Sequence, residues 1–325
     1  MKHQVEYKLY GELVIFSGTA NQPLAEEIAA YLGISLGEVD IFQFANTNTF
    51  VRLRQSVRGK DVFLIQPTNA PTNDNLMELL IFIDALRRDS AGRITAVVPY
   101  YGYGRTDKKD QPRVPITARL VADLITVAGA DRFLSIDLHA GQIQGFFTIP
   151  TDELTALHLL VDHFAQKAIP DAVVVAPDVG ATRRARNFAQ RLHAPLAVIE
   201  KRRALDGSDA ALLNLVGDVR GKNAIIVDDE VDTGTTLARG ADFLLQQGAR
   251  EVYACVTHAV LSDPAPERLQ ASGLKELVAT NTVRIPPHKR EVLGSKLTVL
   301  SVGELLGEVI RRIHGGISVG AMFNE

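Results

Sequence analysis

The segment AIIVDDEVDTGTTL, residues 224–237, combines residue types that suit a phosphorylated sugar. Its apolar run predicts a buried strand, which the carboxylates of Asp228 and Asp229 follow directly. A predicted helix comes next, and its opening residues are Asp232, Thr233, Gly234, Thr235 and Thr236. Free N–H groups at a helix start, with hydroxyl donors and a small residue, bind a monophosphate, while carboxylates accept hydrogen bonds from sugar hydroxyls. The segment therefore predicts a pentose phosphate site, since an ordinary capped helix needs only one such residue.

Polar residues also follow three other apolar runs. His139 lies just after FLSI, Asp178 just after AVVVA, and the run EKRR, with Lys201 and Arg203, just after LAVI. Ligands of an open parallel sheet bind beyond the carboxyl ends of its strands, so these residues are candidates for a site. Lys201 and Arg203, in a segment whose Gly207 and Ser208 indicate a mobile loop, suit stabilisation of a phosphoryl group during transfer. A structural His–carboxylate pair and a solvated basic cluster are the alternative interpretations.

Two further segments are of interest. Arg105 follows the apolar run ITAVV, and the glycines at 102 and 104 allow close backbone approach to a ligand. No G-x-x-x-x-G-K-[ST] phosphate loop occurs in the sequence, which counts against the commoner kinase classes. The segment FQFANTNTF, residues 42–50, contains Phe44, and an aromatic residue in an alternating apolar strand of this kind is more often part of the core.

These candidates lie in a chain of alternating strands and helices. Short runs rich in Val and Ile recur, and nearly all precede a segment of helical length and period. Gly129 and Gly248 each follow an amphipathic stretch, where a left-handed helix end is expected. The pattern predicts α/β architecture with mainly parallel sheets covered by helices on both faces.

Composition limits the class of protein. The 325 residues predict two domains, 1–150 and 151–325, divided near the least regular stretch at 145–153. A net charge of -3 argues against nucleic acid or an anionic membrane as partner and favours small ligands. Cys255 is the single cysteine, so an internal disulfide is impossible and a reducing compartment is expected. Its place in the apolar run VYACV predicts a buried residue rather than a nucleophile. No apolar run reaches the roughly 18 residues of a membrane span, and we expect a cytoplasmic protein.

The VDDEVDTGTT segment resembles the phosphoribosyl diphosphate signature of the type I phosphoribosyltransferase fold. Over nearly the whole chain the sequence is similar to the ribose-phosphate diphosphokinase (phosphoribosyl pyrophosphate synthetase) family. The segments that carry this resemblance are PTNDNLMELLIFIDALRRDSAGRITAVVPYYGYGR, VPITARLVADLI, SIDLHAGQIQGFF, APDVGATRRAR, EKRR and SVGAMF.

The resemblance implies transfer of the β,γ-diphosphoryl group of ATP to the C1 hydroxyl of ribose 5-phosphate, with Mg2+ (magnesium) required. It also implies two similar doubly wound domains, with the last helix and tail packing on the N-terminal one, a hexamer built from dimers, and phosphate or ADP as an effector near 108–115. The implied ribose 5-phosphate residues are Asp228, Asp229, Asp232, Thr233, Gly234, Thr235 and Thr236. Those for ATP are Phe44, Asn46, Asn48, Arg105 and Thr106, those for the metal His139 and Asp178, and those for catalysis Lys201 and Arg203.

The sequence departs from the family pattern at three positions. Asn48 stands where the family usually has an acidic residue, Thr106 where it usually has glutamine, and Thr235 where a second glycine is common. The first two changes bear on nucleotide affinity and base preference. Two other functions stay open at this point: a phosphoribosyltransferase, which shares the sugar-phosphate segment but needs only one domain, and a catalytically silent homologue that regulates an active synthetase.

Overall fold

The computed structural model describes residues 10–203 and 211–322, without the side chains of 201–203, 211–212 and 321. The chain folds into two compact units. Of the described residues, the first unit contains 10–154 and 301–322, and the second contains 155–203 and 211–300. The division falls slightly beyond the boundary expected from the sequence.

The first unit contains a five-stranded parallel sheet with the order β1-β4-β5-β6-β7. Its elements up to that boundary are β1 (Leu13–Ser17), α1 (Gln22–Leu32), β2 (Val39–Gln43), β3 (Thr49–Leu53), β4 (Asp61–Ile65), α2 (Thr72–Arg88), β5 (Arg93–Val97), α3 (Thr117–Ala128), β6 (Arg132–Ile136), a 3-10 turn at Gly141–Phe146, and β7 (Thr151–Leu154). Every residue of β4 and β5 is buried, as expected for strands covered on both faces. Strands β2 and β3 form a separate antiparallel ribbon.

The second unit contains a seven-stranded sheet with the order β10-β9-β8-β11-β12-β13-β14. Its elements are α4 (Leu157–Lys167), β8 (Ala172–Ala176), α5 (Thr182–Leu192), β9 (Leu196–Arg203), β10 (Ala211–Val216), β11 (Asn223–Val231), α6 (Thr235–Gln246), β12 (Glu251–Ala259), α7 (Ala265–Ala271), β13 (Leu274–Thr280), α8 (Pro287–Leu293), a 3-10 turn at Gly294–Lys296, and β14 (Leu297–Leu300). All pairs in this sheet are parallel except β9 with β10. The predicted α/β class with helices flanking mainly parallel sheets is confirmed.

The C-terminal helix α9 (Gly303–His314) and the 3-10 turn Gly320–Met322 belong to the first unit. Helix α9 packs beside α1, where the Tyr31 hydroxyl donates to the Glu308 carboxylate over 3.2 Å. At the end of α9, Nδ1 of His314 lies 2.8 Å from Oδ2 of Asp61. No helix in the described part of the chain is both long and apolar enough to cross a membrane.

Two strands run further than their apolar residues predicted. Strand β11 continues through Asp228 and Asp229 to Val231, and β9 continues through Lys201 to Arg203. The prediction that these residues follow their strands was therefore wrong. The reason is that pairing depends on the neighbouring strand: β12 pairs with β11 as far as Val231, and β10 pairs with β9 as far as Arg203. An apolar run predicts which residues are buried, but it does not predict how far the strand stays hydrogen-bonded to its neighbour.

Two other local expectations agree with the structure, and a third does not. Gly129 and Gly248 have φ values of 121° and 92°, so the predicted left-handed helix ends are confirmed. Cys255 is fully buried, and burial raises the pKa of its thiol, as expected for an unreactive core residue. The prediction that the stretch at 145–153 is irregular was wrong at its end, because residues 151–153 belong to β7, which pairs with β6 through a register that includes Leu134 and Asp152.

Candidate active site

In the second sheet the order in which successive strands are added reverses at β8. The predicted sugar-phosphate residues lie at this switch point. Strand β9 pairs with one side of β8, and β11 pairs with the other. A crevice forms at such a switch point beyond the carboxyl ends of the strands, and ligands of open α/β sheets bind there. Pro177 and Asp178 leave the end of β8, while β11 presents Asp228 and Asp229 at its own carboxyl end.

The carboxylates at this switch point influence one another. Burial is the main cause that raises the pKa of Asp228 well above its ordinary value, and the negative charges of Asp229 and Asp178 raise it further. The backbone N–H of Asp229 donates to Oδ1 of Asp228 over 2.9 Å. This hydrogen bond lowers the pKa of Asp228, but by less than the other causes raise it. Asp178 Oδ1 accepts the N–H of Ala181 over 3.1 Å, so this carboxylate is held at the loop that enters α5. This cluster of carboxylates favours the binding of a cation or of a ligand with several hydroxyl donors.

The turn after β11 leads into α6 through a left-handed residue. Gly234 has a φ of 70° and precedes the first helical residue, Thr235. Gly234 has no side chain to cap the helix, and N–H groups at such a helix start favour the binding of an anion. Thr233 Oγ1 lies 3.2 Å from Thr235 Oγ1, so two hydroxyls flank the glycine. These are the features expected of a phosphate cradle.

Helix α7 forms a wall behind this turn, which the sequence did not reveal. A Cβ placed on Gly234 would lie 3.1 Å from Cγ of Leu269 and 3.3 Å from Cβ of Ala265. The guanidinium of Arg268 donates to the carbonyl oxygen of Thr233. No local signal identifies Arg268, because the contact depends on how α7 packs, more than thirty residues along the chain from the turn.

In the first unit, two predicted segments lie side by side at the carboxyl end of the parallel sheet. A Cβ on Gly104 would lie 3.6 Å from Cβ of His139, so the loop carrying Arg105 adjoins the loop after β6. Arg105 and His139 are both exposed. A Cβ on Gly102 would overlap the carbonyl oxygen of Thr68, which only glycine avoids. The neighbouring Thr106 N–H donates to the carbonyl of Tyr103 over 2.9 Å.

The segment with Phe44, Asn46 and Asn48, which is predicted to bind ATP, lies at the tip of the β2–β3 ribbon. Phe44 is 49% exposed and contacts the rings of Phe42 and Phe50 at centroid distances of 5.2 and 5.6 Å. The alternative interpretation of Phe44 as a core residue is therefore wrong. Asn46 Oδ1 accepts the N–H of Asn48 over 3.2 Å, so these side chains help shape the turn that presents the aromatic cluster.

The predicted catalytic cations are placed only through their backbone. Lys201 and Arg203 occupy alternate positions of β9, opposite Leu213 and Ala211 of β10. Their side chains lie outside the described part of the structure, as do residues 204–210, on which the predicted mobile loop with Gly207 and Ser208 falls.

Among the described residues, no group of three or more His, Cys, Asp or Glu is arranged to hold a metal ion by itself. This does not conflict with magnesium, because Mg2+ usually takes one or two carboxylates and completes its shell with phosphate oxygens and water. Asp178 and Asp228 have carboxylate oxygens of this kind, and a cation would offset the neighbouring negative charges that, after burial, raise the pKa of Asp228. Asp178 lies in the second unit and His139 in the first.

The parallel sheet, the paired carboxylates at its switch point and the glycine-opened helix beside them define an α/β protein of the phosphoribosyltransferase type. Comparisons with known proteins narrow this class. Residues 13–129 match the family model of the N-terminal domain of ribose phosphate pyrophosphokinase, and residues 204–324 match the phosphoribosyl synthetase-associated domain.

Named relatives cover nearly all of the chain. Ribose-phosphate pyrophosphokinase 1, chloroplastic, of Arabidopsis thaliana is 54% identical over 96% of this chain and 77% of its own length. Ribose-phosphate pyrophosphokinase of Clostridium tetani is 50% identical over 96% of this chain and 97% of its own. The crystal structure of phosphoribosylpyrophosphate synthetase from Mycobacterium smegmatis aligns with a TM-score of 0.89 at 45% identity, over 94% of this chain and 100% of that one. The chain belongs to the ribose-phosphate pyrophosphokinase family.

Proposed function

We propose that this enzyme transfers the β,γ-diphosphoryl group of ATP to the C1 hydroxyl of ribose 5-phosphate, giving phosphoribosyl diphosphate and AMP. The observation that carries the proposal is the pairing of Asp228 and Asp229 with the Gly234 turn at the sheet's switch point, in a chain of this family. The carboxylate pair suits the ribose hydroxyls, and the Gly234 turn suits the 5-phosphate.

The proposed roles within the second unit follow from chemistry at each position. Asp228 and Asp229 accept hydrogen bonds from the ribose hydroxyls, which are donors that a buried carboxylate pair requires. The turn Asp232–Thr236 binds the 5-phosphate through the N–H groups at the start of α6 and the hydroxyls of Thr233, Thr235 and Thr236. Thr235 in place of a second glycine keeps its backbone donor and adds a hydroxyl.

In the first unit, ATP is the proposed ligand. Exposed Phe44 offers a ring for stacking on the adenine, with Asn46 and Asn48 beside it, and Arg105 with Thr106 follows β5 at the carboxyl edge of the sheet. Asn48 and Thr106 are the positions at which we expect nucleotide preference to be adjusted. Support comes from the exposure of the aromatic cluster, which a purely structural ribbon would bury.

Magnesium is the proposed metal. Asp178 supplies the preferred oxygen ligand, and the proposal extends to His139, although a nitrogen contact to Mg2+ is unusual. When bound, the ion neutralises negative charge on the phosphates and orients them. Lys201 and Arg203 are proposed to stabilise the charge of the diphosphoryl group as it passes to the C1 oxygen. No residue is assigned as general base, since a loose transition state does not require one.

The remaining proposals concern the oligomeric state, the effectors and the cellular location. A hexamer built from dimers, and phosphate or ADP acting as effector near residues 108–115, rest on membership of the family. A cytoplasmic location rests on the balanced charge and the single buried cysteine.

A direct assay tests the reaction. The purified chain is incubated with ATP, ribose 5-phosphate and Mg2+, and the nucleotide and sugar products are quantified by chromatography. We expect AMP and phosphoribosyl diphosphate in equal amounts. Formation of ADP would contradict diphosphoryl transfer, and absence of any product would favour the silent regulatory homologue. Consumption of phosphoribosyl diphosphate with a free base would instead favour a phosphoribosyltransferase.

The same assay tests the catalytic cations. Lys201→Ala should lower kcat about 100-fold or more, with smaller changes in KM, because the charge is needed most in the transition state. Lys275→Ala is the matched control, since Lys275 is an exposed lysine of the same unit that pairs with Glu251 over 2.6 Å. Equal activity of wild type and Lys201→Ala would refute the role given to Lys201.

A further inference from the structure

The turn that is proposed to hold the 5-phosphate contacts a residue outside the segment itself. Arg268 of α7 is half-buried and donates through its guanidinium to the carbonyl oxygen of Thr233. Helix α7 also closes the space behind Gly234, where any Cβ would meet Leu269 and Ala265. One face of the turn is therefore occupied by α7, and its other face is left for a ligand.

Peptide geometry makes this contact directional. The bond between Thr233 and Gly234 is a trans peptide, so the carbonyl of Thr233 and the N–H of Gly234 point in opposite directions from one plane. When Arg268 holds the carbonyl on the α7 side, the N–H of Gly234 points away from α7. The positive φ of Gly234 then turns the chain into α6, whose first residue is Thr235.

Helix α7 is itself fixed at both ends by lysines. Before its start, Lys289 Nζ donates to the carbonyl of Leu261 over 2.7 Å and lies 3.0 Å from Oδ1 of Asp263. At its end, Lys296 Nζ donates to the carbonyls of Gln270 and Ser272 over 2.8 and 3.0 Å. A seven-residue helix has little stability of its own, and these contacts keep Arg268 in place.

We propose that Arg268 is a positioning residue for the sugar-phosphate turn: it holds the Thr233–Gly234 peptide so that the Gly234 N–H faces the 5-phosphate. Its charge lies behind the turn and adds to the favourable potential for a dianion. The inference rests on the proposed binding of ribose 5-phosphate at this turn and extends it to a residue that does not contact the substrate.

The test compares ribose 5-phosphate binding and steady-state kinetics in three variants. Arg268→Ala should raise both Kd and KM for ribose 5-phosphate about tenfold, the usual scale for loss of one charged hydrogen bond. We expect kcat at saturating substrate, KM for ATP and the Tm of the free protein to stay close to wild type. Arg268→Lys should recover part of the affinity, because an ammonium group can still donate to the carbonyl.

Arg290→Ala is the matched control, since Arg290 of the same unit also donates to a backbone carbonyl, that of Ile285, over 3.2 Å. It should leave ribose 5-phosphate binding unchanged. A wild-type protein that does not bind ribose 5-phosphate would overturn the proposed function. If wild type binds but Arg268→Ala binds equally well, or Arg290→Ala weakens binding as much, only the role of Arg268 is overturned. Parallel loss of Tm, kcat and ATP affinity in Arg268→Ala would show a general structural role and would also overturn it.

Discussion

Asp228, which is proposed to bind the ribose, carries a cost in stability. Its carboxyl group lies within β11, is largely buried, and has the carboxylates of Asp229 and Asp178 nearby, so its pKa is raised well above the ordinary value. A raised carboxyl pKa means that the folded state holds the proton more tightly than the unfolded chain does. Stability contributed by this group is therefore present at low pH and is lost as pH rises through the raised pKa.

Asp228→Asn should stabilise the free protein while weakening its binding of ribose 5-phosphate. The amide cannot ionise, so the decline of stability with rising pH caused by this group disappears, and we expect Tm near pH 8 to increase by a few degrees. Binding and activity should fall at least tenfold, because an acceptor for ribose is replaced. Thermal denaturation and the AMP assay measure the two effects.

Asp171→Asn serves as the control for Asp228→Asn, because Asp171 is an exposed carboxyl of the same unit, 3.6 Å from Arg250. It should change neither quantity appreciably. If Asp228→Asn lowered Tm near pH 8, the burial of an unfavourable charge at this position would be disproved.

At the scale of elements, the start of α6 depends on Gly234. Its φ of 70° lies in the left-handed region, and its Cα faces Leu269 and Ala265 of α7. Gly221 of the same unit has nearly the same φ, 69°, but an added Cβ there would meet no atom within 4 Å. The two glycines thus differ in packing while sharing the same backbone conformation.

Gly234→Ala should destabilise the protein more than Gly221→Ala. Both substitutions carry the left-handed cost of roughly 1–2 kcal/mol. Only the first also forces α7 to move, so we expect an additional loss of about 1–3 kcal/mol and weakened ribose 5-phosphate binding. Urea denaturation gives the free energies of unfolding. Equal effects of the two substitutions would show that α7 does not restrain the turn.

A second element-scale feature is the contact of α4 with the sheet. His163 of α4 lies 4.0 Å from Glu276 of β13, and Lys167 of the same helix pairs with that glutamate. Burial is the main cause that lowers the pKa of His163, with Lys167 acting in the same direction and Glu276 opposing. The folded state therefore favours neutral His163, and stability from this group is lost as pH falls from the unfolded pKa towards the lowered one.

His163→Gln should flatten the pH dependence of stability below about pH 6.5, the ordinary pKa of histidine. In wild type, the unfolded chain takes up a proton that folded His163 resists, so the free energy of unfolding decreases with pH in that range. The measurement is Tm between pH 5 and 8. His158→Gln makes the same substitution at an exposed position of the same helix and is the matched control for the change of residue itself. An unchanged slope in His163→Gln would contradict the assignment.

At the scale of the whole molecule, the chain's last helix completes the unit formed by its first half. Asp61, at the start of β4, is fully buried; Arg93 of β5 binds it through two nitrogens at 2.8 and 2.6 Å, and His314 of α9 binds it at 2.8 Å. The Arg93 guanidinium also donates to the carbonyl of Ile313 over 3.2 Å. This cluster joins residues more than two hundred positions apart in sequence.

Asp61→Ala should lower the free energy of unfolding by about 3–5 kcal/mol, because it leaves Arg93 buried without its counter-charge. Asp84→Ala removes an exposed partner of Arg88 and should cost at most about 0.5 kcal/mol. Chemical denaturation of both variants checks the difference. A small effect of Asp61→Ala would mean that solvent replaces the lost carboxylate and that α9 is held mainly by its packing on α1.

Much of this molecule could be predicted from sequence because it depends on local patterns. Apolar runs and helical periods predicted the α/β class, Gly129 and Gly248 predicted left-handed helix ends, and the Asp228–Thr236 segment predicted the carboxylate pair and glycine-opened helix. These features follow from period, side-chain size and backbone freedom, which neighbouring residues alone determine.

Only the tertiary structure decided which distant residues meet. It placed Asp178 close enough to Asp228 to raise its pKa, brought Gly104 beside His139, and set Arg268 against the carbonyl of Thr233. It also extended β11 and β9 beyond their apolar runs, because a strand is as long as its partners allow. Strand order and helix packing create these contacts, and both depend on pairing between segments far apart in the chain, which no local pattern encodes.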